Sequence, residues 1–224
     1  MTDLNLNINY ATQVFLEELK ERNEVLGVIL FGSWARGNNY PESDVDLVVI
    51  LSSGYSRAVE YHSGQVFEII YTTETSAYDY WISDIDGAAG LWGVAKVLFD
   101  KNGAIERLKT KIQQVLDTGK KAIEEHQIRQ LHFDSDDQIK YVERIADIDQ
   151  TSANLILHNK IYALSELFFD IRCIWTPAPK QRLAEILKIN SNFYILLEQF
   201  YQDQTSFKAK VEIAKKIVAI IFEQ

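Results

Sequence analysis

The rhythm of apolar positions divides the chain in two. Before residue 100, strand-like and helix-like patterns alternate; after residue 103, only the helical spacing remains. Ala11, Val14, Phe15 and Leu19 share one helical face and predict a helix over residues 10–23. Val25–Phe31 and Val45–Leu51 are short apolar runs that predict strands. Residues 58–73 predict a hairpin with its turn at His62-Ser63-Gly64-Gln65. The aromatic-rich residues 76–85 predict a helix, and residues 94–99 a further strand closed by the turn Asp100-Lys101-Asn102-Gly103. Helices are then predicted over residues 104–117, 120–133, 135–148, 151–174, 180–189, 191–201 and 206–223. The clearest stripe is Leu157, Ile161, Leu164, Phe168, Ile171 and Trp175; the last helix repeats it with Phe207, Val211, Ala214 and Val218. Both stripes are expected in a core. The pattern predicts an α+β chain: strands with flanking helices in residues 1–103, then an all-helical domain in residues 104–224. A cleft between the two halves is the default place for a substrate.

Composition adds exclusions. Hydrophobic residues make up 47% of the 224, enough for a real core, and the longest apolar run falls short of a membrane helix. Residues 1–9 are polar and predict no secretory signal. The one cysteine, Cys173, excludes an internal disulfide, fits a reducing, cytoplasmic compartment and is expected to be a small buried side chain. A net charge of −9 argues against binding a nucleic acid backbone. The four histidines, His62, His126, His132 and His158, lack metal-ligand spacing and read as turn or surface residues. Asp134-Ser135-Asp136-Asp137 reads as a helix-starting loop.

Candidate chemistry concentrates where the first two strands meet. The strand Val25–Phe31 runs into Gly32-Ser33, and ten residues further on Asp44-Val45-Asp46 opens the next strand. Strand side chains alternate between faces, so Asp44 and Asp46 share one. Two carboxylates on one face repel each other unless a cation lies between them. Oxygen-only ligation of this kind suits Mg²⁺, which takes one or two carboxylates plus substrate phosphates. Gly32 lets the backbone turn sharply and a phosphate come close. Ser33 opens a short helix whose free N–H groups attract anions. Asp84-Ile85-Asp86 has the same spacing but is followed by Gly87-Ala88-Ala89-Gly90, so it reads as a helix end.

Gly32-Ser33 followed by Asp44-x-Asp46 resembles the signature of the DNA polymerase β-like nucleotidyltransferase superfamily. Ala35-Arg36-Gly37 and Ser43-Asp44 bring it nearest to the minimal and antibiotic-modifying nucleotidyltransferases of prokaryotes. Looser likenesses follow: Val97-Leu98-Phe99-Asp100 resembles the closing strand and turn of that domain, and Pro177-x-Pro179-Lys180 a segment of the helical domain in several such enzymes. The resemblance implies transfer of a nucleoside monophosphate from a nucleoside triphosphate, most often ATP, to a hydroxyl, with release of pyrophosphate. Asp44 and Asp46 would be metal ligands and catalytic residues, with Gly32, Ser33 and Arg36 on the nucleotide. The superfamily has a third carboxylate on a neighbouring strand. Glu68, in the apolar run Val66-Phe67-Glu68-Ile69-Ile70-Tyr71, is the candidate, as metal ligand or as general base; its alternative is the solvent face of an edge hairpin. Lys180 is either a contact to the triphosphate or an exposed lysine at a helix start.

The implied acceptor is a small molecule, such as an aminoglycoside-like or lincosamide-like antibiotic. A protein acceptor, as in the minimal enzymes that modify a partner toxin, and a nucleotide-binding module without catalysis are the alternatives. The large helical half weighs against the second, and the intact Asp44, Asp46 and Arg36 against the third. The expected partners are therefore a nucleoside triphosphate and a small acceptor, with no nucleic acid or membrane, and the helical half could also serve as a homodimer surface.

Overall fold

A computed structural model describes residues 9–222. Two compact units divide it: the first reaches Thr118 and the second begins at Gly119.

Helix α1 (Tyr10–Glu21) starts at Asn9, whose side chain accepts from the Thr12 N–H. It leads into β1 (Val25–Phe31), the short α2 (Gly32–Arg36) and β2 (Val45–Leu51). The hairpin β3 (Ser56–His62) and β4 (Gln65–Thr73) follows, then α3 (Glu74–Ser83), α4 (Ile85–Trp92), β5 (Lys96–Asp100) and α5 (Ala104–Leu116). The strands form one mixed sheet in the order β3-β4-β2-β1-β5. Strand β2 is parallel to β4, and the other pairs are antiparallel. Each face has its own core. Val45, Leu47, Val49, Phe67 and Ile69 pack with Phe15 and Leu19 of α1. On the opposite face Ile29, Val48 and Ile50 pack with Trp81 of α3, Ala88 of α4, and Ile105, Leu108 and Ile112 of α5. Helix α5 thus belongs to the sheet's own core, which is why the first unit continues past the turn at residues 100–103.

The second unit consists of α6 (Glu125–Ile145), α7 (Gln150–Ile171), α8 (Pro179–Ile189), α9 (Ser191–Tyr201) and α10 (Phe207–Phe222). Leu157, Ile161, Leu164 and Phe168 form the buried spine of its core, joined by Val211, Ala214 and Val218. A small cavity of about 170 Å³ opens in this unit, lined by Tyr162, Ser165, Arg182 and Tyr201 among others.

Several local expectations are corrected. The break predicted at residues 134–137 does not exist: α6 runs through it. Ser135 is fully buried, its hydroxyl donating to the Leu131 carbonyl, while Gln130 reaches Asp134 along the helix. Asp84 does end a helix, but it also starts one, accepting from the Gly87 N–H at 3.1 Å to cap α4. Cys173 is exposed, not buried. It holds the left-handed position just past α7 (φ 55°), its N–H reaching the Asp170 carbonyl and the Ile174 N–H that of Phe169, a Schellman ending. That ending leaves Trp175 outside the helix. His62, His132 and His158 are half-buried against aromatic rings: His62 on Phe15, His132 on Phe222 and His158 on Phe200. The expectation of no signal at residues 1–9 falls almost wholly outside the described residues. Among those described, no helix is long and apolar enough to cross a membrane.

Candidate active site

The sheet register gathers the carboxylates. Phe31 of β1 pairs with Asp46 of β2, and Asp46 pairs with Glu68 of β4. Two residues further along the same face, Ile29, Val48 and Ile70 form the corresponding row, where the core beneath α3, α4 and α5 begins. Asp46 and Glu68 therefore lie one row beyond Ile29, Val48 and Ile70, at the end of that face. Asp44 immediately precedes β2, on the same side as Asp46, while Val45 between them points into the opposite core. One oxygen from each of Asp44, Asp46 and Glu68 falls within 4.8 Å of the others. Asp44 is exposed and the other two are half-buried.

The approach to this cluster explains the glycine. Gly32 has φ +68°, and a Cβ placed on it would lie 1.7 Å from Oδ2 of Asp46. Any side chain here would meet the carboxylate head-on, in a backbone conformation that L-residues avoid. Gly32 begins α2, and Gly37, also left-handed at φ 76°, ends it with its N–H on the Ser33 and Trp34 carbonyls. Arg36 is the last residue of α2 and is exposed.

The loop between α2 and β2 is pinned at Ser43. Its carbonyl accepts from Trp34 Nε1 at 3.3 Å and from Gln65 Nε2 at 2.8 Å, and its hydroxyl accepts from the Tyr40 N–H at 2.9 Å. Gln65 is itself held by Asn9. These contacts fix the peptide just ahead of Asp44. On the other side of the cluster, Arg57 of β3 makes an ion pair with Glu68. Strand β4 is interior to the sheet, so Glu68 is not on the edge strand of the hairpin; β3 is that edge.

Among the candidate residues, Gly32, Asp44, Asp46 and Glu68 are thus brought together in the first unit. Ser33 and Arg36 lie on the helix that starts at Gly32. Lys180 is exposed in the second unit, the second residue of α8 after Pro179. Trp34, Gln65 and Arg57 escape sequence reading as parts of the site, and Ser43 enters it only through the motif. No signal in the sequence marks Arg57; only the register of β3 on β4 puts it on the face of Glu68.

The donor set is made of carboxylates alone, on neighbouring strands, with a turn of backbone against one of them. Such a set fits a hard divalent cation that keeps open positions for other oxygen ligands. Among the described residues, no histidine or cysteine joins such a cluster.

The fold and this cluster define a nucleotidyltransferase-type domain. The chain belongs to the nucleotidyltransferase domain family, whose pattern it matches over residues 13–189. Over 69 residues it is 36% identical to a protein of Methanocaldococcus jannaschii that carries the provisional name protein adenylyltransferase; the match takes in 29% of this chain and 47% of that protein. The chain thus spans about half the length of this curated relative. A nucleotidyltransferase-like protein from Exiguobacterium sibiricum 255-15, known from a crystal structure, superposes with a TM-score of 0.51 at 14% identity, over 95% of this chain and 73% of that one. At that identity the likeness speaks for the fold alone.

Proposed function

We propose that this chain is a Mg²⁺-dependent nucleotidyltransferase that moves AMP from ATP onto a hydroxyl of a small molecule. The observation that carries the reading is the convergence of Asp44, Asp46 and Glu68 beside the Gly32 turn, in a chain of the nucleotidyltransferase domain family. Asp44, Asp46 and Glu68 would hold the ion, which when bound offsets triphosphate charge and stabilises the departing pyrophosphate. The Gly32-Ser33 turn presents backbone to the phosphates without a side chain in the way, and Arg36 adds a positive charge nearby. Glu68 is proposed, besides holding the ion, to take the proton of the attacking hydroxyl. The hydroxyl oxygen forms its bond to the α-phosphorus as the bond to pyrophosphate breaks.

A second reading, transfer to a protein hydroxyl, is favoured by the provisional name of the M. jannaschii relative. Incubation with α-labelled ATP and Mg²⁺ separates the two. The small-molecule reading predicts label on members of an aminoglycoside and lincosamide panel and none on protein; label on a co-purifying protein, with the panel unmodified, would replace it with the second.

A further inference from the structure

We infer that Arg57 is a positioning residue of the carboxylate cluster: a counter-cation built into the chain that holds Glu68 while no divalent ion is bound and releases it when one binds. This rests on the reading of Asp44, Asp46 and Glu68 as a metal site.

The register places Arg57 for this role. Arg57 pairs with Ile70 across β3 and β4, and Val59 pairs with Glu68, so Arg57, Val59, Glu68 and Ile70 share one sheet face. From there the guanidinium reaches the Glu68 carboxylate diagonally and closes the ion pair. Three carboxylates with oxygens within 4.8 Å of one another repel, and a nearby cation offsets part of that repulsion. Arg57 supplies such a charge from a strand that contributes no carboxylate to the cluster.

The pair is also built to open. The Arg57 side chain is 61% exposed and that of Glu68 38%, so each is partly in water. Exposed pairs of this kind are weak and easily broken. A divalent ion carries twice the charge of a guanidinium and draws on the same Glu68 carboxylate. The two cations also repel each other at this range. Binding the ion and keeping the Arg57–Glu68 contact therefore oppose each other, and the opposition is reciprocal. An arginine on an edge strand also guards against edge-to-edge pairing, but that role predicts no effect on cation affinity.

The test is a Mn²⁺ titration of the full-length protein, followed by electron paramagnetic resonance of the free ion. Arg57→Gln is expected to bind Mn²⁺ about two- to fivefold more tightly than the wild type. The gain should shrink at high salt, be missing in Arg57→Lys, and vanish when Arg57→Gln is combined with Glu68→Gln. Unchanged or weaker binding in a folded Arg57→Gln overturns the inference, as does a gain that survives removal of the Glu68 charge. Asp46→Asn separates this failure from failure of the metal-site reading. Binding that Asp46→Asn abolishes but Arg57→Gln leaves alone overturns only the role of Arg57; binding indifferent to Asp46→Asn overturns both.

Discussion

At the scale of the residue, Gly32 and Asp46 are one structural feature. The carboxylate occupies the space a side chain at position 32 would need. Gly32→Ala should therefore lose at least about 1–2 kcal/mol of stability from the left-handed backbone alone, with the displaced carboxylate adding to it. Chemical denaturation would measure this, and a variant as stable as the wild type would contradict the geometry. Asp44, Asp46 and Gly32 were legible in the sequence because spacing and strand alternation are enough to bring them together. Glu68 was legible because a carboxylate in an apolar strand needs a reason. Arg57 was not, since a basic residue on an alternating edge strand looks like any solvated side chain until the register pairs it with β4. Cys173 was misread because free cysteines are usually buried, whereas here the helix end needed a residue in the left-handed conformation and that residue faces solvent.

At the scale of the element, the misread segments are those where tertiary contacts outweigh local propensity. Helix α4 carries Gly87 and Gly90, poor helix formers, yet it is capped by Asp84 and anchored by the fully buried Ala88, and Trp92 meets Trp81 edge-on at 5.2 Å. Asp84→Ala should cost about 1 kcal/mol of stability and leave transfer activity intact, which sets it apart from the other Asp-x-Asp pair of the chain. Loss of activity without loss of stability would give Asp84 a role beyond capping. Helix α6 looked broken because its polar run at residues 134–137 resembles a loop; the buried Ser135 satisfies its hydroxyl within the helix instead. In α7, His158 lies half-buried between Phe200 and Tyr201 with Lys210 close by, and burial, then the Lys210 charge, push its pKa below the ordinary 6.5. The folded protein thus binds this proton less readily than the unfolded chain. His158 contributes stability above about pH 6.5 that is lost as pH falls below it. Thermal denaturation across pH 5–8 should show this slope, and His158→Gln should flatten it; an unchanged slope would assign it to other groups.

At the scale of the molecule, the boundary near residue 100 marks a change in secondary structure more than the end of a packed unit. The pattern of strands stops there, but α5 completes the core under Ile29, Val48 and Ile50. The family pattern runs through residue 189, across the sheet unit and into the helical one as far as α8. The nucleotide side of the proposed reaction could be read from some twenty residues because metal and phosphate chemistry demands few side-chain types in a fixed arrangement. The acceptor side could not, because the apolar stripes of the helical unit report how its helices pack and not what its surface recognises. The central claim is that Asp44, Asp46 and Glu68 form a metal site for nucleotidyl transfer. The measurement that tests it most directly is pyrophosphate release from ATP, with acceptor present, by the wild type and by Asp46→Asn at matched fold and Mg²⁺ concentration. The predicted result is Mg²⁺-dependent release that falls on the order of 10³-fold in Asp46→Asn. Release that persists unchanged in Asp46→Asn, or that needs no divalent ion, would contradict it.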